Sequence, residues 1–147
     1  MTAGDKPIAF ADTNIWLYAL IASQDAAKSA TSQALIRQPT LVTSVQVINE
    51  VCVNLIKKAQ FSEERIRELV ASFYERHHVA HFEKTTLLKA SLLREKHGFS
   101  FWDSTMIASA LAAGAEIFYS EDMHHGTVVQ NSLRLTNPFL ATRGTTA

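Results

Sequence analysis

One cysteine, three prolines and five glycines are spread over 147 residues. Each scarcity excludes something. A lone Cys52 cannot close an internal disulfide, and within Val51-Cys52-Val53 it reads as a small buried hydrophobe. With so little proline and glycine no stretch has the composition of a linker, and no internal repeat is visible. One domain over residues 1–147 is therefore expected. An excess of charge is missing too: Lys plus Arg and Asp plus Glu number fourteen each, which gives no general push toward nucleic acid or membrane. No apolar run approaches the roughly 20 residues that span a bilayer. The opening Met1-Thr2-Ala3-Gly4-Asp5-Lys6 lacks the apolar centre of a signal peptide. A soluble cytoplasmic protein with no membrane partner is the expectation.

What the chain has is core material. Hydrophobic residues make up 47% of it, the share of a packed domain rather than a disordered one. A chain of this length buries roughly two-thirds of its unfolded surface. Only the tails, residues 1–6 and about 141–147, are small and polar enough to read as frayed. Nine of the fourteen basic residues lie between Lys57 and Lys96, against six acids there, a modest basic flank.

Strand and helix signals alternate. Pro7 to Ala11 is a short apolar run, and a helix is predicted from Thr13 through Leu20. Asp25 is a suitable N-cap for a second helix ending at Ile36 before Pro39. Thr40 to Thr43 reads as a strand, and Ser44 as the cap of a helix reaching Lys58. Ser62 is the next N-cap, with Phe61 and Ile66 at staple positions and acids in the first turn, for a helix to about Arg76. Val79 to Phe82 comes next as a short strand. A helix from about Thr85 to His97 then ends at Gly98, and one from Trp102 to Ala113 at Gly114. Glu116 to Tyr119 and Leu133 to Thr136 are the last strands. This alternation predicts a three-layer α/β/α fold with a central, mostly parallel sheet. Ligands of such sheets gather beyond the carboxyl ends of the strands.

Two predicted strands end in acids there, at Asp12 and at Ser120-Glu121-Asp122. Each Asp alone is explained as the cap of the helix or turn after it. Glu50 is less easily explained. Its helix, Val45 to Ile56, is apolar nearly all round and should be largely buried, so its carboxylate needs a basic partner or a cation. Asp103 suits the first turn of its helix, where the macrodipole favours an acid. Together, four acids from four segments make an oxygen-rich ligand set for a hard cation such as Mg²⁺ or Mn²⁺.

Histidines compete poorly for metal chemistry. His77, His78 and His81 lack a cysteine partner and the His-Glu-x-x-His pattern, and read as a surface helix end. His124 and His125 read as turn residues before Gly126. In Ser-Glu-Asp-Met-His-His-Gly, Asp122 is the candidate, Ser120 its helper, and Glu121 points elsewhere.

The segments ADTNIWLYA (11–19), VINE (47–50), FSFWDSTMIASALAAG (99–114), YSEDMHHG (119–126) and NPF (137–139) resemble, in order and spacing, the PIN domains, specifically the VapC-like ribonuclease toxins of prokaryotic toxin–antitoxin pairs. The resemblance implies that Asp12, Glu50, Asp103 and Asp122 are catalytic and surround one or two Mg²⁺ or Mn²⁺ ions, with Asn14 and Ser120 supporting them by hydrogen bonds. It also implies endonucleolytic RNA cleavage, a homodimer and a cognate antitoxin. The chain departs from that picture in its neutral net charge and in having no obvious basic tail for RNA. Two other readings stand beside it. One is a PIN-fold module that binds RNA or protein without turnover, against which the complete acid set argues. The other is a haloacid-dehalogenase-like phosphatase, against which stands the missing second Asp in Asp12-Thr13-Asn14.

Overall fold

A computed structural model of the chain describes residues 6–21 and 25–140. The termini read above as frayed lie largely outside the described residues. Among the described residues, five of the six strands are parallel. They are β1 (Ala9–Ala11), β2 (Leu41–Ser44), β3 (His78–Ala80), β4 (Ile117–Tyr119) and β6 (Leu133–Thr136), with β5 (Val128–Val129) antiparallel to β6 at one edge. The sheet order is β3-β2-β1-β4-β6-β5. The helices are α1 (Thr13–Leu20), α2 (Ala26–Ile36), α3 (Val45–Ala59), α4 (Glu63–Arg76), α5 (Lys84–His97) and α6 (Phe101–Ala112).

From β1 the chain steps to β2 and β3 in one direction, then crosses to β4 on the other side of β1. Right-handed crossovers therefore send α1 to α4 to one face and α5 and α6 to the other. The packing agrees: α1 lies against α2 and α3, and α5 against α6. The expected three-layer fold is what forms.

β1 is apolar throughout and β2 in its first half, and both are buried along their length, as parallel strands between helix layers must be. Phe10 of β1 and Phe118 of β4 stack at 5.1 Å and are fully buried. Helix starts follow the capping residues: Asp25, Ser44, Ser62 and Ser100 each accept a backbone N–H from the first turn.

Some expectations need correction. β3 is His78–Ala80, one residue earlier in onset than the apolar run indicated and without Phe82. β5 was not foreseen. It joins β6 through Gln130 and Asn131, both left-handed, with φ of 52° and 59°. Such a turn is usually signalled by Asn-Gly or Asp-Gly, and neither is present. α3 is not buried all round: Val45, Val53 and Ile56 are exposed, because only one side of the helix meets the sheet and α1. Cys52 on this helix is half-buried rather than buried.

Candidate active site

β1 and β4 are parallel neighbours, in register Ala11 to Tyr119, and the chain leaves this pair in opposite directions. Their carboxyl ends therefore form the switch-point crevice of the sheet. Asp12 follows β1 directly, and its backbone N–H donates to the Tyr119 carbonyl at 2.9 Å, carrying the strand pairing one residue further. That fixes Asp12 beside the Ser120–Asp122 turn.

The Asp12 carboxylate caps α1, accepting from the Thr13 N–H at 2.6 Å on one oxygen and from the Ser120 hydroxyl at 3.0 Å on the other. Ser120 is itself buried, and its Oγ accepts the Asp122 N–H at 3.3 Å. Asn14, one position into the exposed side of α1, donates from Nδ2 to Asp122 Oδ2 at 3.4 Å. Asp12, Ser120, Asp122 and Asn14 thus make one hydrogen-bonded chain across the β1 and β4 tips.

Glu50 and Asp103 approach from the helices. Thr13 Oγ1 donates to Glu50 Oε2 at 3.5 Å, linking the α1 start to α3. Asp103 is held in the first turn of α6, where its backbone N–H donates to Ser100 Oγ at 3.1 Å. Burial raises the Asp12 pKa from 3.8 to about 6, Ser120 and Thr13 pull it partly back, and the charges of Asp103 and Glu50 add to the rise. Glu50 is raised too, by burial first, with Gln46 and Thr13 opposing and Asp103 adding. These couplings place Asp12, Glu50 and Asp103 within electrostatic reach of one another. Like charges add to the rise at both acids, yet burial is the larger cause.

Among the described residues no Lys or Arg is paired with any of the four acids; the ion pair present joins Lys28 to Glu121. Glu121 turns away from the crevice, as expected. It accepts from the Tyr18 hydroxyl at 2.7 Å, and Lys28 and Tyr18 together outweigh its burial and lower its pKa. His124 and His125 are exposed, and His125 Nδ1 accepts the Asn137 N–H at 2.9 Å. His77 does not stay on the surface. It is half-buried, its Nδ1 lies 3.0 Å from the Leu41 carbonyl, its ring meets Trp16 edge-on, and burial lowers its pKa. His78 and His81 are exposed.

Two site residues gave no signal in the sequence: Thr13, which reaches Glu50, and Gln46, whose amide faces the same carboxylate. Only the position of Gln46 one helical turn before Glu50 could have pointed to it.

The donor set suits a divalent cation: Asp12 is buried and Glu50 half-buried, burial raises the pKa of both, and a bound positive charge would stabilise their carboxylates. Among the described residues no three His, Cys, Asp or Glu side chains stand together closely enough to hold a metal ion as they lie. Mg²⁺ does not need such a cluster, because it keeps several waters and takes one or two carboxylates.

A family model of the PIN domain matches residues 9–128, and the chain belongs to the PIN domain family. No curated protein matches it in sequence. Several solved structures share its fold. A toxin–antitoxin complex from Klebsiella pneumoniae superposes with a TM-score of 0.67 at 14% identity, over 88% of this chain and 97% of that one. VapC20 of Mycobacterium tuberculosis, a toxin that cleaves the sarcin–ricin loop, gives 0.59 at 24% identity over 75% and 86%. VapBC2 of Rickettsia felis, bound to a DNA fragment from its promoter, gives 0.59 at 19% over 88% and 98%. Among the described residues no helix is long and apolar enough to cross a membrane.

Proposed function

We propose that this PIN domain is a divalent-metal-dependent endoribonuclease that hydrolyses RNA phosphodiesters as the toxin of a toxin–antitoxin pair. The observation that carries the reading is the electrostatic coupling of Asp12 with Glu50 and Asp103 at the sheet's switch point, beside Asp122, with no basic residue paired to any of them among the described residues. Asp12, Glu50, Asp103 and Asp122 would hold one or two Mg²⁺ or Mn²⁺ ions. Bound metal supplies charge for the phosphate oxygens, acidifies water and stabilises the leaving oxygen.

The chain's own residues do the rest. Ser120 and the Thr13 N–H hold Asp12 from both oxygens, so its direction is set before any ligand arrives. Asn14 fixes Asp122, and Thr13 and Gln46 steady Glu50. No histidine stands in this network, so its chemistry does not rest on an imidazole base. Family membership displaces the phosphatase reading, and the complete acid set argues against a binder without turnover. The toxin and antitoxin assignments are supported by structural neighbours that are toxins or toxin–antitoxin complexes. A homodimer is supported by the outward leucines of α5, together with Phe101 and Trp102, all more than half exposed.

The test is cleavage of total RNA by purified protein with Mn²⁺, with EDTA, and by Asp12→Asn, followed by mapping of the cut ends. Discrete cuts that need both metal and Asp12 support the reading. Cleavage that survives EDTA, or that dies with His124→Ala plus His125→Ala instead, contradicts it.

A further inference from the structure

Gln46 is a buried amide on α3, one turn before Glu50 and on the same face. Its side chain meets three groups. Nε2 donates at 3.3 Å to the carbonyl of Trp102, the residue before Asp103. The Thr105 hydroxyl donates to Oε1 at 2.5 Å. The remaining amide N–H faces Glu50, one turn on, and favours the charged form of that carboxylate.

This pattern admits one amide orientation. A peptide carbonyl and a carboxylate only accept, so the NH₂ end must face Trp102 and Glu50. Flipping the amide would set its oxygen against two other acceptors. Thr105 Oγ1 also lies 2.8 Å from the Trp102 carbonyl, and its single proton can serve only one acceptor at a time. With the NH₂ end on that carbonyl, Oε1 faces Thr105 and can only accept, so the Thr105 proton goes to Oε1.

We propose that Gln46 is a positioning residue: its amide, held by Thr105, ties α3, one turn before Glu50, to the first turn of α6, which carries Asp103. The two acids stand 53 positions apart in sequence on different helices, and this amide links those helices. Its role is to set their separation for a divalent cation, so the inference rests on the metal-dependent reading above.

The experiment is Mn²⁺ titration by calorimetry, with a metal-free melt of each variant alongside. Gln46→Met keeps length and volume but removes the donors and the acceptor. Thr105→Val keeps shape but leaves Oε1 without its donor and the amide less firmly held, while Thr105→Ser retains the hydroxyl. Mn²⁺ affinity should fall about tenfold or more in Gln46→Met and Thr105→Val, the usual effect of losing an outer hydrogen-bond partner. Thr105→Ser should stay within about threefold of wild type, well short of that loss. A folded Gln46→Met or Thr105→Val that binds Mn²⁺ as wild type does overturns the assignment. Should Gln46→Met not fold, Thr105→Val decides. Wild type that binds no Mn²⁺ removes the proposed function itself, and this inference falls with it.

Discussion

At Asp12 stability and chemistry pull in opposite directions. The residue is only 8% exposed, and no base stands beside it among the described residues. Burial, with help from Asp103 and Glu50, holds its pKa at about 6 against an ordinary 3.8. The folded protein thus binds this proton more tightly than the unfolded chain does. The charge costs stability in full above about pH 6, and the cost shrinks as pH falls from there toward 3.8. At about 1.4 kcal/mol per unit of pKa, the full cost is on the order of 3 kcal/mol. Asp12→Asn should therefore be more stable than wild type in EDTA at neutral pH, by about 1–3 kcal/mol. That advantage should fade by about pH 4, near the ordinary carboxyl value, while RNA cleavage is lost throughout. Urea melts across a pH series check this, and a mutant less stable than wild type at neutral pH would contradict it. Asp12 and Asp122 were legible in the sequence because each stands at a strand tip, and Glu50 because its surroundings do not suit a charge; Asp103 suits its helix start and was legible only beside the other acids and through the family resemblance. Thr13 and Gln46 were not. A hydroxyl or amide that meets its partner 37 or 59 positions away leaves no local pattern.

Elements were legible wherever a cap or a stop marked them. Ser44, Ser62 and Gly98 stand where the sequence placed them, and the helices they bound form accordingly. β5 stayed hidden because two residues carry no periodicity and their turn lacks a glycine. The outer side of α3 stayed hidden because its apolar residues could not say which of them would meet the sheet. Two substitutions probe the elements that frame the site. Ser100→Ala removes the cap that receives the Asp103 N–H and should cost about 1 kcal/mol, read from chemical melts. Gly98 ends α5 at φ +72° with open space around a would-be Cβ. Gly98→Ala should therefore cost about 1 kcal/mol through backbone strain alone. A neutral result at either position would mean that the helix end is held by packing instead.

At the scale of the molecule the oddity is α5. Thr86, Ala90 and Leu93 face the core, yet Leu87, Leu88 and Leu92 are 54%, 55% and 58% exposed, with Trp102 at 63% at the start of the helix packed beside it. Apolar groups gathered this way mark an interface more often than a free surface. Light scattering should give a dimer for wild type and a monomer for Leu88→Lys with Leu92→Lys. A dimer that survives both lysines would move the interface elsewhere. The central claim is that acids from β1, α3, α6 and the β4 tip act as one divalent-metal site. Paired thermal melts, in EDTA and in millimolar Mn²⁺, test it on wild type and on Asp103→Asn. Metal should raise the wild-type melting temperature by mass action. Asp103→Asn, with less repulsion to relieve and one ligand fewer, should melt at or above wild type in EDTA and gain much less from Mn²⁺. No metal-dependent rise in wild type, or an equal rise in the mutant, would contradict a single site.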